Sequence, residues 1–344
     1  MSGWMTICRK ELSDHLGSKR YLLLFALIVA LSIASAYQGA DYIKNNPTSD
    51  FVDVFSGSQN SSFSFIYLMV IFGPIIGLAL GFDAINRERT RGSLSVLLSQ
   101  PIFRDSILNG KFIAGVAALS LLAVSTIGIL TGVAIPILGF GPTGDEILRI
   151  GVFTAFTILY LSIWLALGLL FSVISKNTTT SILMSISTWL MFSIIITIAA
   201  SFVANVVSPI EMPTGFQSVT IPANQTFSGG VGGGTFDFNQ TTRGGTFLDQ
   251  TDLSDYRQAS ENNANIEAAV QKISPCYLYE DAATSLLGIA QGGFGTSGNP
   301  FQGLETSQSV SESWPQITVL AVIMIACFVS SYMLFLRQEI RAGG

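Results

Sequence analysis

The chain has 344 residues, with 17 Lys and Arg against 22 Asp and Glu, a formal net charge of -5 and a mean hydropathy of +0.54. Hydrophobic types make up 49% and charged types only 11%, too apolar and too poor in charge for an ordinary soluble domain, so the chain reads as an integral membrane protein. One histidine, His15, and three scattered cysteines, Cys8, Cys276 and Cys327, leave no basis for a metal centre, a disulfide framework or a nucleophile with a neighbouring base.

The first twenty residues read as an amphipathic helix, with Trp4, Cys8, Leu12 and Leu16 on one face and Arg9, Lys10, Glu11 and Asp14 elsewhere. Six apolar runs follow, near 21–37, 63–82, 112–138, 150–174, 180–206 and 315–335. A helix needs about 17 to 20 such residues to cross roughly 30 Å of hydrocarbon. The end of the first run, Ala34-Ser35-Ala36, also fits a signal-peptidase site, but the segment before it is long for such a leader, and an uncleaved span is expected.

Gly73, Gly77 and Gly81 recur every four residues in the second run, and Gly128 with Gly132 repeats the spacing in the third. Such stripes let backbones approach closely, either within one chain or at a seam between two. Pro74 is expected to kink the second span, and a polar neighbour must then satisfy the carbonyl it frees. The runs hold no Asp, Glu, Lys, Arg or His, the groups that proton relays and ion sites use, which argues against an ion-coupled carrier.

Residues 83–111 form a compact charged segment between two runs without charge. Arg87, Glu88, Arg89 and Arg91 precede Gly92, after which Leu94, Leu97 and Leu98 stand at helical spacing before Pro101. A helix this short cannot span. It lies along the membrane surface as a basic loop among headgroups, or docks into a partner groove with its leucines as anchors.

Between the fifth and sixth runs, residues 207–314 make a long polar loop. Residues 229–245 are rich in Gly, Thr, Asn and Phe and lack the Lys-Ser/Thr pair of a phosphate-binding loop. Gly234-Thr235-Phe236 and Gly245-Thr246-Phe247 suit two short strands, 252–273 reads as a helix, and 277–287 as a second one whose Tyr277-Leu278-Tyr279 start suits the membrane interface.

Six spans put both termini on one side. That side carries 12 of the 17 Lys and Arg, so it is expected to be cytoplasmic, with 207–314 outside. The outer loop holds 11 of the 22 acidic residues, and with a pI near 4.9 and 11 Arg to 6 Lys this suits either a high-salt, archaeal or halophilic setting or simply an acidic outer domain. The sequons at Asn60, Asn224 and Asn239 fall on the expected outside and are candidate glycosylation sites, whereas the one at Asn177 falls inside.

The run RERTRGSLSVLLSQPIFRDSILNGK resembles the loop between the second and third helices of ABC-2 type permeases. The matching positions are Glu88, Gly92, Ser93, Leu94, Leu97, Leu98, Ser99, Pro101, Ile102, Arg104, Gly110 and Lys111, while Ser95 stands where many relatives have Glu. Arg9-Lys10-Glu11-Leu12 resembles the family's amphipathic elbow helix, and Arg337-Gln338-Glu339-Ile340-Arg341 its end.

The resemblance covers residues near 1–206 and 315–344 and implies an all-α membrane protein of six transmembrane helices with an N-terminal elbow helix, to which the residues between add a mixed extracellular domain between helices five and six. It divides as 1–206, 207–314 and 315–344, and lies in the plasma membrane with both termini cytoplasmic. It further implies the permease subunit of an ATP-driven exporter that binds no cofactor of its own. ATP and magnesium are then held by a separate ATP-binding subunit, and a second permease and membrane lipid complete the partners, with no nucleic acid. Arg87, Glu88, Arg91, Gly92, Ser93, Leu94, Leu97, Leu98, Pro101 and Arg104 are the expected contact with that ATPase. The charge-free spans favour a hydrophobic or lipid-like substrate. The alternative is a membrane-anchored outer domain with a structural or partner-binding role, which has no need of a leucine-faced cytoplasmic helix.

Overall fold

The computed structural model describes residues 3–46, 49–56, 64–90, 104–209, 217–219, 245–247, 250–289 and 306–337. In chain order these form α1 (Gly3–Leu16), α2 (Lys19–Asn45), a 3-10 turn (Phe51–Phe55), α3 (Phe65–Gly81), α4 (Asn86–Thr90), α5 (Arg104–Leu138), α6 (Gly144–Ile174) and α7 (Thr178–Leu190). A π turn (Met191–Ile195) joins α7 to α8 (Ile196–Val207), followed by strands β1 (Gln217–Val219) and β2 (Gly245–Phe247), α9 (Gln250–Gln271), α10 (Pro275–Leu287) and α11 (Thr306–Arg337).

Among the described residues six helical stretches are long and apolar enough to cross a membrane: Lys19–Asn45, Phe65–Arg89, Ser106–Leu138, Gly144–Ile174, Thr178–Val207 and Ser313–Arg337. They coincide with the six apolar runs and extend beyond them. The first, read as 21–37, continues through Asp41 and Lys44 because 27 helical residues reach about 40 Å, and the polar last turns pass beyond the hydrocarbon. Ser35 and Ala36 lie buried within this helix.

The chain divides into two compact units, residues 1–197 with 271–344, and residues 198–270. In the first, α6 is the central helix, packed on α3 and α11, while α5 carries α1 and α2. Phe51 and Phe55 of the 3-10 turn are buried, and Phe55 meets Phe65 and Phe153 edge to face at 5.8 and 5.5 Å. Such pairs contribute about 0.5–1.5 kcal/mol each beyond their area.

Glu146 holds this turn in place. Its Oε1 accepts from the Phe51 and Val52 amides at 2.7 and 3.3 Å, and its Oε2 from the Thr143 amide and hydroxyl, both at 2.7 Å. Thr143 and Glu146 form the capping box of α6, so one carboxylate serves the first turns of two helices.

In the second unit, α8 presents Ala200 and Ala204, both buried, one helical turn apart. Polar groups pair α8 with α9: Ser201 donates to Glu267 at 2.5 Å, and Asn263 donates to Asn205 and to the Ser208 carbonyl at 3.3 and 2.8 Å. Strands β1 and β2 pair antiparallel with Ser218 opposite Thr246. Gly245–Phe247 is thus a strand as expected, yet its partner is Gln217–Val219, and residues 234–236 lie outside the described residues.

Candidate functional site

The charged loop leaves the second span through a break between α3 and α4, where a helix end exposes unpaired backbone groups. Two serines from distant helices satisfy them, and a third, Ser175 at the C-cap of α6, holds the Asn86 side chain. Ser172 Oγ accepts from the Ile85 and Asn86 amides at 3.0 and 3.2 Å, Ser181 donates to the Phe82 carbonyl at 2.7 Å, and Asn86 Nδ2 donates to Ser175 Oγ at 2.9 Å. Leaving one such buried group unpaired costs about 1–3 kcal/mol, so the entry to the loop is fixed to α6 and α7.

The loop returns at α5, and there Lys111 is only 4% exposed. Its ammonium lies 3.0 Å from Glu11 of α1 and 2.8 Å from Glu88 of α4. Nearby, Arg20 pairs with Asp83 at 2.9 Å and lies 5.8 Å from the centre of the Phe82 ring. The amphipathic reading of α1 placed Glu11 among the residues off its apolar face. Ile7 and the half-buried Leu12 and Leu16 do face the core, but Glu11 lies beside them, turned toward Lys111.

These groups line a cleft of about 200 Å³ that also takes in Lys10, Asp14, His15, Arg87 and Tyr21. Burial lowers the pKa of His15 from its ordinary value, opposed by the charge of Glu11 and assisted by that of Lys111. Burial thus favours the neutral form of His15. Tyr21 ties α2 to α5 by donating to the Ala118 carbonyl at 3.0 Å.

Deeper in the bundle, the stripe Gly73, Gly77 and Gly81 meets α6. A Cβ at Gly77 would stand 2.7 Å from Trp164 Cβ and 2.8 Å from the Leu161 carbonyl oxygen, and one at Gly81 2.7 Å from the Leu165 carbonyl oxygen. Beside this contact Tyr160 donates to the Val70 carbonyl at 3.1 Å, the one that Pro74 leaves without its helical donor. The Tyr160 ring stacks on Tyr279 at 4.1 Å, and Tyr279 lies 3.0 Å from the Thr157 hydroxyl.

Tyr279 belongs to α10, which the sequence suggested for the membrane interface. α10 is packed against α3, α6 and α11, with Cys276, Leu278, Tyr279, Ala282, Ala283, Leu286 and Leu287 buried. The π turn explains how it is held, since its irregular ladder lets the Phe192 carbonyl accept from Ser274, the N-cap of α10, at 2.8 Å. Gly288, left-handed at φ 73, closes the helix. At the other face Asp281 accepts from Gln316 of α11 at 2.8 Å.

An apolar bundle with an amphipathic first helix, a charged loop pinned at both ends and a helix inserted ahead of the sixth span agrees with the family whose pattern the chain matches. The profile of the ABC-2 family transporter protein matches residues 5–340. The chain belongs to the ABC-2 transporter family. It is similar to the probable ABC transporter permease protein NosY of Pseudomonas aeruginosa, 28% identical over 197 residues that cover 56% of this chain and 68% of that protein. It is also similar to the protein of the same name from Stutzerimonas stutzeri, 34% identical over 107 residues, 31% of this chain and 36% of that protein.

The ABC-2 chain is accordingly a multi-pass permease of an ABC transporter, and membership implies an ATP-binding partner subunit. Permeases of this kind generally carry no ATPase site of their own. Of the expected contact residues, Arg87 and Glu88 lie on α4, Arg104 opens α5, and Arg91, Gly92, Ser93, Leu94, Leu97, Leu98 and Pro101 lie outside the described residues. Gly128 and Gly132 have no atom within 4 Å of a built Cβ, unlike Gly73, Gly77 and Gly81. Asn60, Asn224 and Asn239 also lie outside the described residues. Among the described residues no group of three or more His, Cys, Asp or Glu is placed to hold a metal ion.

Sequence reasoning passed over Ser172, Ser175, Ser181, Glu146 and Tyr160, and quoted Lys111 without giving it a task. Lys111 and Glu146 carried a signal, Glu146 because Thr143-x-x-Glu146 ahead of an apolar run is a capping-box pattern. A lysine about two turns into α5, at the very edge of its apolar run, is costly to bury without a carboxylate.

Proposed function

We propose that this permease is one half of an ATP-driven exporter of a hydrophobic or lipid-like substrate, paired with a second permease and with separate ATP-binding subunits that hold ATP and magnesium. The ATPase grips the loop 83–111, whose leucines Leu94, Leu97 and Leu98 seat in a groove on the cytoplasmic side, and both termini lie on that side. The observation that carries this reading is the fixing of both ends of the loop, by Ser172, Ser175 and Ser181 before it and by Lys111 after it. A displaced loop therefore moves α3, α5 and α6 as packed bodies rather than flexing alone.

Energy enters as the difference in the ATPase's affinity for the two permease states when nucleotide is bound. Spans without ionisable groups in their apolar runs support a substrate that needs no charge partner in transit. The acidic outer segment suits a high-salt exterior.

The test is to purify the tagged chain from its native membrane in mild detergent with ATP and to identify what accompanies it. An ATP-binding subunit accompanies the wild type and is lost from Leu97→Asp and Leu98→Asp. Its absence from the wild type overturns the reading, and its undiminished presence with both variants overturns the role of the leucines.

A further inference from the structure

Lys111 joins three elements that are far apart in sequence. It stands near the start of α5, and its two carboxylates come from α1 and from α4 at the base of the loop. All three side chains are largely withdrawn from water, at 4%, 13% and 17% exposure, so leaving the ammonium without either carboxylate is costly. With two at 3.0 and 2.8 Å, either can withdraw by a few ångströms and leave the other in place.

A close-packed interior would not permit such movement. Here the cleft of about 200 Å³ opens directly beside the three groups, and its wall carries Lys10, 3.9 Å from Glu11, and the Arg20–Asp83 pair. A carboxylate that leaves Lys111 has another cation within the same cleft. We propose that Lys111 is a positioning residue in the transport cycle, a swivel whose ammonium shifts its pairing between Glu88 and Glu11 and so carries the movement of the cytoplasmic loop to the elbow helix α1.

This rests on the coupling reading above. α1 also packs on α5, and its Leu12 and Leu16 meet the apolar core, contacts without direction, whereas the paired charges fix which position of α1 goes with which position of α4. Glu11 is the informative residue to change, because Lys111 keeps Glu88 when Glu11 is neutralised and the bundle retains its buried pair.

The experiment uses the whole transporter, purified with its ATP-binding subunit in lipid nanodiscs, and compares hydrogen exchange of α1 and α4 without nucleotide and with magnesium ATP trapped by vanadate. In the wild type and in Lys111→Arg, trapping alters exchange in both helices. In Glu11→Gln, α1 is as protected as wild type without nucleotide, the response of α4 persists and that of α1 is lost. A retained α1 response in Glu11→Gln, or a wild type in which only α4 responds, overturns the proposal. So does loss of α1 protection before nucleotide is added, which makes Glu11 a static tether. A wild-type complex in which neither helix responds overturns the coupling reading itself.

Discussion

Replacing Tyr160 by Phe removes one oxygen and leaves the ring on Tyr279. The hydroxyl donates to the Val70 carbonyl at 3.1 Å and approaches Cys276 Sγ at 3.4 Å. In a regular helix the Val70 carbonyl would accept from the amide four residues on, but that residue is Pro74, which has none. Tyr160 is fully buried, so no water replaces the lost donor. An unsatisfied buried carbonyl costs about 1–3 kcal/mol in soluble proteins, and hydrogen bonds between membrane helices average about 0.6 with a maximum near 1.7. Tyr160→Phe is therefore expected to destabilise by about 1 kcal/mol, read as unfolding by steric trapping in bicelles. The decisive arm is the double-mutant cycle. Pro74→Ala restores an amide to Val70, so Tyr160→Phe in that background should cost at most about half as much. Equal costs in the two backgrounds refute the idea that Tyr160 serves the carbonyl that Pro74 frees.

Two further outcomes follow from the same geometry. Gly77→Val places a Cβ 2.7–2.8 Å from Trp164 and the Leu161 carbonyl and should lower the melting temperature of the solubilised protein sharply, whereas Gly128→Ala meets nothing within 4 Å and should leave it unchanged or raise it, a helical Gly→Ala change being worth up to about 1 kcal/mol. Asp53 in the 3-10 turn has its pKa raised to about 6, first by burial and then by the charges of Asp50 and Glu146, against the hydrogen bond from the Asp50 amide. The folded turn holds the proton more tightly than the unfolded chain, so its contribution is complete below the ordinary value of 3.8 and is lost as pH rises through about 6. Asp53→Asn should remove this slope from melting curves taken between those values, and an unchanged slope would place its source elsewhere.

The spans were legible because a membrane imposes one strong condition on sequence, a long run in which nearly every side chain is apolar. The loop 83–111 was legible for a related reason, since charge confined between two such runs has nowhere to go but the surface. The Gly73 stripe and the need to satisfy the carbonyl freed by Pro74 could be stated from spacing alone, but not which residue answered it. Tyr160 is 90 positions from Val70, and nothing local to either names the other.

The same limit applied to α10. Its segment carries Tyr277, Tyr279 and Glu280 in a run too short to span, which reads as interfacial, and only its contacts with α3, α6 and α11 and the π turn that receives Ser274 place it within the bundle. Composition and periodicity thus settled by themselves that this chain is a six-span membrane protein of helical build, because those properties depend on solvent and on neighbours a few residues away. The pairings of Lys111 with Glu11 and Glu88, of Glu146 with the 3-10 turn, and of three serines with the break between α3 and α4 were decided only by tertiary structure. Each joins groups brought together by packing, where burial makes an unpaired charge or amide costly and the partner is whichever residue the fold delivers.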